Sequence, residues 1–349
     1  MSRRSVGSFS IGGTVVARGE ARNVALVVSQ NALGLPVSLP VRVIRGDKSG
    51  PRVYAMGAVH GDELNGTGII RDLMLRDLRL RRGTLVLVPV VNVFGFERNS
   101  RDLPDRRDLN RSFPGDPNGS LALRLASSVF REIVAKCDYG LDFHSAAQGR
   151  SNYPHVRADL ELPEVRRLAE WFGCEICVDR KGDEQCLRRA ATYHGCPTIT
   201  FEAGEALRVQ RSLVELGVRC TLNVLRHLEM IDGAPQEPTE RITVRRTQWV
   251  RSHAGGLLRM QVQPGAIVEA GATLGVCDGF FDRRSPALPA PTSGFVLAVT
   301  TLPVVRPGAP ICNLAVPDDD KDLVRWQAEL ARKGVGSAPP DLHGRSHAG

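Results

Sequence analysis

The texture of the chain changes once, near residue 231, and that change constrains the fold more than any overall composition. Up to Met230, β-type runs alternate with helical periods, whereas Ile242 to Ala315 holds only short apolar runs broken by glycine and proline. Leading β-type runs fill Ser8 to Ile44. A strand at Val53–Val59, a helix near Gly66–Arg79 and a strand at Thr84–Val91 follow. Ser120 is placed to cap a helix through Lys136, with Leu121, Leu125, Val129 and Ile133 on one stripe. Next come a strand at Gly140–His144, a helix at Pro163–Phe172 stopped by Gly173, and a helical stretch from Ala206 to Met230. This order predicts an α/β sheet with helices on its faces. Ile231-Asp232-Gly233-Ala234-Pro235-Gln236-Glu237-Pro238 reads as a linker. We therefore expect an α/β domain over residues 1–238, a β-rich domain over 239–316, and a tail over 317–349.

The β-rich part carries a weak internal repeat. Gly256-Leu257-Leu258 matches Gly294-Phe295-Val296, and Val268-Glu269-Ala270-Gly271-Ala272 matches Val305-Arg306-Pro307-Gly308-Ala309. Two similar β-halves suggest a small barrel-sandwich resembling a biotinyl/lipoyl carrier. Carriage needs a lysine at a hairpin tip, and no lysine lies between Lys181 and Lys321. The module is read instead as a lid, a pocket wall or an oligomer contact. In the tail, Leu323, Trp326 and Leu330 fall on one face of a short helix, and Gly334–Gly349 is expected to be disordered.

Hydrophobic content of 42% with 24% charged residues is ordinary for a globular chain. No stretch approaches the roughly 20 apolar residues of a membrane span. Arg3 and Arg4 hint at a twin-arginine signal, but no apolar region follows them, so no signal peptide is expected. Eight cysteines in 349 residues make no disulfide scaffold, which points to a reducing cytoplasm. Cys174 and Cys177 form one Cys-x-x-Cys without a second close pair, read as reduced thiols rather than a metal or redox site. The net charge of +8 comes with only 5% aromatics and no basic run interleaved with them, so nucleic acid is not an expected partner. Attraction of anionic small molecules explains the charge better.

Chemistry concentrates in four places. Gly57-Ala58-Val59-His60-Gly61-Asp62-Glu63 follows an apolar run and sets a histidine three residues before a carboxylate. On a helix start the two would share one face and could grip one metal ion. Hydrolytic zinc takes three protein ligands, commonly two His and a Glu, with one position open. His144 ends the short strand from Tyr139 and offers the second imidazole, with Asp142 on the same strand face to orient it. Glu202 ends the apolar stretch Pro197–Phe201 and is a candidate general base, with Glu205 as its rival beyond Gly204. The run Arg101 to Gly115 includes Asn110 and Arg111, suited to a substrate carboxylate. Arg101, Arg106 and Arg107 compete there for the role of polarising a carbonyl. Arg150, Arg180 and Arg188, with Arg107, are further candidates for substrate contact.

The ordered set His60-x-x-Glu63, Asp108-Leu109-Asn110-Arg111, His144 and Glu202-Ala203-Gly204 resembles the succinylglutamate desuccinylase/aspartoacylase family, over roughly residues 10 to 315. The resemblance implies a zinc-carboxypeptidase-like (M14) mixed sheet flanked by helices. It also implies an N-acyl amino acid deacylase with one zinc, Zn2+, per chain. By the same resemblance His60, Glu63 and His144 are ligands, Glu202 is the base, and Asn110 with Arg111 takes the substrate carboxylate. The stretch Ser100-Arg101-Asp102-Leu103-Pro104 matches the family's carbonyl-polarising arginine, which favours Arg101. Many members have an aromatic residue where this chain has Asp102, which puts its selectivity in doubt. A cytoplasmic metallohydrolase of small N-acyl amino acids, forming a homo-oligomer as such families often do, is the first expectation. A carboxypeptidase acting on small peptides, or a metal-dependent metabolite-binding protein without turnover, are the alternatives.

Overall fold

The computed structural model describes residues 8–239, 241–281 and 286–318, together with residues 324, 326 and 328. The chain divides into two compact units, one of residues 1–148 and 154–239, the other of residues 149–153 and 240–349.

The first unit opens with a hairpin of β1 (Phe9–Ile11) and β2 (Thr14–Val16), then β3 (Ala21–Gln30), β4 (Pro36–Arg45) and β5 (Lys48–Gly57). Next come α1 (Asn65–Leu75), β6 (Arg82–Val88), the short α2 (Val93–Glu97), α3 (Leu121–Glu132) and β7 (Tyr139–His144). β8 (Arg150–Ala158), α4 (Pro163–Phe172), β9 (Ile176–Asp179), α5 (Leu187–Tyr193), β10 (Thr198–Glu205) and α6 (Arg211–His227) finish it. The sheet runs β8-β10-β7-β5-β6-β4-β3. β10, β7, β5 and β6 are parallel, and the antiparallel pair β4 and β3 closes one edge. It is thus a mixed α/β sheet.

Alternation along the strands divides the interior into two layers. Val53 and Ala55 of β5, Leu141 and Phe143 of β7, and Ile199, Phe201 and Ala203 of β10 pack with α1, α4 and α6. Tyr54 and Met56 face the other way, with Leu125, Ala126 and Val129 of α3 and Leu187 and Ala191 of α5. Because the period is two, Asp142, His144, Thr200 and Glu202 share the face opposite Phe143 and Phe201. Gly140 lies on the same face and leaves room for the Tyr54 ring, which a Cβ there would meet at 2.2 Å. The Tyr54 hydroxyl is hydrogen-bonded to Thr198 across the gap.

Several helices depart from their expected bounds for local reasons. α1 ends at Leu75, not Arg79, because Arg76 is already extended (ψ 143°). α3 is capped by Ser120 but breaks at Ile133 and passes into a short 3-10 turn over Val134–Lys136. α4 spans Pro163–Phe172, with proline in its first turn and Gly173 left-handed at its end (φ 74°). α6 begins at Arg211 rather than Ala206, since Leu207 takes a positive φ of 59° that no helix accepts.

Over the described residues from Ile242 to Val316 the second unit is all-β: β11 (Ile242–Val244), β12 (Arg246–Arg251), β13 (Gly256–Met260), β14 (Ile267–Val268), β15 (Thr273–Asp278), β16 (Ala287–Pro289), β17 (Gly294–Thr300), β18 (Val304–Val305) and β19 (Pro310–Val316). The sequence repeat becomes a swapped two-fold pairing. β13 and β17 open each half, and each pairs with the short strand of the other half, β18 and β14. They also pair with β15 and β19, which follow the left-handed turns at Gly271 and Gly308. One apolar core, including Leu258, Leu274, Val296, Ile311 and Leu314, joins the two halves. Residues 149–153 add to this unit, with Asn152 opposite Ala298. Of the expected tail helix, Leu323 and Leu330 lie outside the described residues, as does Gly334–Gly349. Trp326 is buried, edge-on to Phe295.

Candidate metal centre

The carboxyl ends of β5, β7 and β10 lie side by side, with Met56 opposite Asp142 and His144 opposite Glu202. His60 and Glu63 were expected on a helix, but they occupy the turn between β5 and α1, closed by the Glu63 N–H donating to the His60 carbonyl. The chain leaves β5 through Ala58 at φ 48°, a strained value for a residue with a Cβ. That twist turns His60 back over the strand ends. α1 can start so close because Gly66 meets Gly57 and Phe143, where a Cβ would approach Phe143 Cβ to 2.7 Å. Asn65 fixes the arrangement: its Nδ2 donates to Ser145 Oγ and the Ala203 carbonyl, and its Oδ1 accepts the Gln210 N–H.

His60, Glu63 and His144 converge, all three buried. His60 Nδ1 lies 2.8 Å from Glu63 Oε1, His144 Nδ1 2.8 Å from Glu63 Oε2, and the two ring nitrogens 3.2 Å apart. Donors on a tetrahedral zinc with bonds of about 2.0–2.1 Å stand about 3.3–3.4 Å from one another, so the two ring nitrogens are close to the required edge and each has a Glu63 oxygen somewhat nearer. The outward ring nitrogens are both held. His60 Nε2–H donates to Asp108 Oδ1 at 3.0 Å, and His144 Nε2–H to Asp142 Oδ2 at 2.9 Å. Those carboxylates select the tautomer whose Nδ1 lone pair points inward, as a metal ligand needs. The residues present fit a divalent cation.

The electrostatics agree. Burial opposes charge on either ring, yet Glu63 and Asp108 raise the His60 pKa, and Asp142 and Glu63 raise that of His144 well above its usual value. Burial also opposes ionisation of Glu63, but the two imidazoles hold its carboxyl well below the usual carboxylate range. The centre therefore favours positive charge, for which a ring proton and a metal cation compete.

Around this core, Arg101 reaches Glu63 Oε1 with Nη1 (2.9 Å) and Asp108 Oδ2 with Nη2 (3.0 Å). Its rivals lie elsewhere: Arg106 is exposed at φ 61°, and Arg107 pairs with Asp105. Glu202 stands beside His144 in register, with Arg157 Nη1 3.5 Å from its Oε1. Glu205 ends the same strand and pairs with Arg208. Asn110 and Arg111 are engaged otherwise. Asn110 Oδ1 accepts the Leu187 N–H at the start of α5, and Arg111 pairs with Asp183 at 2.7 Å. Arg188 is buried, giving Nε–H to Thr200 Oγ and its fork to the Arg180 and Lys181 carbonyls. Arg150 lies over the Trp249 ring in the second unit.

Asp108 was quoted within its motif but given no role. It accepts from His60, Arg101 and the Asn110 N–H (2.7 Å), and against burial His60 and Arg101 hold its carboxyl down. Arg157 was missed altogether. Burial pushes the Cys174 thiol up to about 12 and raises that of Cys177 as well, which disfavours the thiolate a metal or disulfide exchange needs. Among the described residues, His60, Glu63 and His144 form the one group arranged to hold a metal.

Residues 49–228 match the succinylglutamate desuccinylase/aspartoacylase catalytic domain. The chain belongs to this family of deacylases. It is 30% identical over 254 residues to the N-alpha-acetyl-L-2,4-diaminobutyric acid deacetylase of Halomonas elongata, covering 68% of this chain and 73% of that one. The succinylglutamate desuccinylase/aspartoacylase of Rhodobacter sphaeroides superposes with a TM-score of 0.78 at 27% identity, over 87% of this chain and 97% of that one. The product-bound ectoine utilization protein EutE (DoeB) of Ruegeria pomeroyi shares the fold, with a TM-score of 0.78 at 23% identity over 87% and 98%. No helix among the described residues is long and apolar enough to cross a membrane.

Proposed function

We propose that this family member is a zinc-dependent amide hydrolase that removes an acyl group, such as acetyl or succinyl, from an N-acyl amino acid or related small metabolite. The convergence of His60, Glu63 and His144, each ring backed by a carboxylate, carries the reading. These three side chains would hold the ion, which when bound supplies charge that acidifies a water and polarises a carbonyl. Asp108 and Asp142 keep the rings turned for that task. Glu202 takes the proton of the attacking water and returns it to the leaving amine. Arg101, one third exposed, faces the negative charge growing on the carbonyl oxygen. Asn110 and Arg111 receive the substrate carboxylate, which then replaces Asp183 on Arg111.

The same reading takes the second unit as a biotinyl/lipoyl-like barrel-sandwich without cargo, since residues 240–318 contain no lysine. It places the chain in the cytoplasm, a setting that eight free cysteines suit. The relative from Halomonas elongata makes N-acetyl-L-2,4-diaminobutyrate the first probe. The test is amine release from acetyl, succinyl and longer acyl donors on varied amino acids, with zinc and after chelation. Turnover of at least one donor that chelation abolishes is expected. A zinc-loaded protein that binds these compounds but releases no amine sinks hydrolysis, and Glu202→Gln with near-full activity removes Glu202 from the chemistry.

A further inference from the structure

Glu202 lies within β10, three residues before its end, and a general base works only within hydrogen-bond reach of its proton. The neighbouring strand β8 brings Arg157 against it. His155 and Arg157 are two apart, so they face the same side of β8. His155 is fully buried. Arg157 Nε–H donates to His155 Nε2 at 3.2 Å, and an accepting Nε2 puts the ring proton on Nδ1. The far end of the same guanidinium stands 3.5 Å from Glu202 Oε1. A buried imidazole thus fixes the plane of a guanidinium, and the guanidinium meets the carboxylate.

Arg188 lies on the same side of the sheet but is used differently. Its Nε–H is given to Thr200 Oγ1 and its Nη1 to two backbone carbonyls, and its charge adds to the field at Glu202. Arg157 is 38% exposed in its side chain, against 13% for Glu202, so the pair opens to solvent at the arginine.

We propose that His155 and Arg157 form a positioning relay that holds the Glu202 carboxylate at its working place. The inference rests on the reading of Glu202 as base, and goes beyond it by naming what sets that base. Arg157 acts through Glu202 and is a positioning residue. The penalty for a misplaced base falls on the chemical step, not on substrate binding.

The experiment is a double-mutant cycle on the zinc-loaded full chain, using the best substrate of the amine-release panel. Arg157→Ala is expected to lower kcat about 10- to 100-fold with KM within about twofold. Bound metal per chain should stay at the wild-type level, and Arg157→Lys should recover part of the loss. His155→Met should give the same signature, and little further loss when combined with Arg157→Ala. In a Glu202→Gln background, Arg157→Ala should remove nothing more. Full additivity in that background, a rise in KM at constant kcat, or unchanged kcat in Arg157→Ala would each overturn the relay. An active Glu202→Gln protein would instead overturn the reading of the base, and the two failures are told apart by which single variant keeps its activity.

Discussion

The two units bury different things. The first takes His60, Asp62, Glu63, Asp142, His144, Asp159 and Arg188 out of water, while among the described residues of the second the buried polar ones are Ser151, Asn152, Ser252, Thr300 and Asn313, none of them charged. Burying an ionised group costs several kcal/mol unless partners replace its water. The first unit meets that requirement with reciprocal pairs at 2.8–3.0 Å around Glu63. Among its described residues the second unit shows no such demand, and its core is an apolar cluster.

The largest effect should come from the charge centre. His144→Ala is expected to bring bound metal close to zero and cut amine release by at least ~10³-fold, because several kcal/mol of transition-state stabilisation go with the ion. Metal analysis beside the rate measurement checks both. A variant that keeps its metal and its rate would erase the distinction between the units. The matching change in the second unit is Leu274→Ala, at a fully buried core position of β15. It should cost about 2–5 kcal/mol of stability, read from denaturant unfolding, with kcat per bound metal unchanged. A loss of more than tenfold in kcat from a folded Leu274→Ala protein would give the β unit a share in the reaction.

What the sequence made legible was local or repeated. Pro163 and Gly173 bracket α4 at both ends, and the glycine spacing of the β-halves reappears as the swapped pairing of β14 and β18. His60 and Glu63 could be paired because three residues separate them. The backbone between β5 and α1 could not be read the same way: it depends on Ala58 at positive φ and on the close meeting of Gly57 with Gly66. Asp108 went without a role because its partners His60 and Arg101 lie 48 and 7 residues away, a contact only the folded sheet creates. Arg157 sits in a strand whose register beside β10 no spacing rule discloses. Arg111 illustrates the reverse limit, since its chemistry was plain but its pairing with Asp183 was not.

Asp108 sharpens the comparison on a finer scale. Asp108→Asn keeps an acceptor for His60 but removes the charge shared by His60 and Arg101. Metal affinity should weaken about 10- to 100-fold, the usual effect of losing a carboxylate behind a ligating imidazole. Competition with a chelator of known strength measures it. Affinity within about twofold of wild type would mean that the tautomer of His60 is fixed without this carboxylate.

The smallest effect concerns pH, and its sign separates the metal-free from the zinc-loaded protein. Without metal, the His60 and His144 pKa values are raised in the fold, so folding favours their protonation. That contribution is fully present below the unfolded histidine value of about 6.5 and is lost as pH rises through the raised folded values. With metal the inward nitrogens must be free of protons, so affinity grows over the same window. The gap in Tm between zinc-loaded and chelated protein should therefore widen as pH rises from about 6 upward, at about 2–4 °C for each kcal/mol. The second unit buries no ionisable side chain among its described residues except thiols, so the widening has to arise in the first. A gap that stays constant or narrows would show that Glu63, Asp108 and Asp142 do not hold protons on the two rings, and the buried carboxylates would then need another source of compensation.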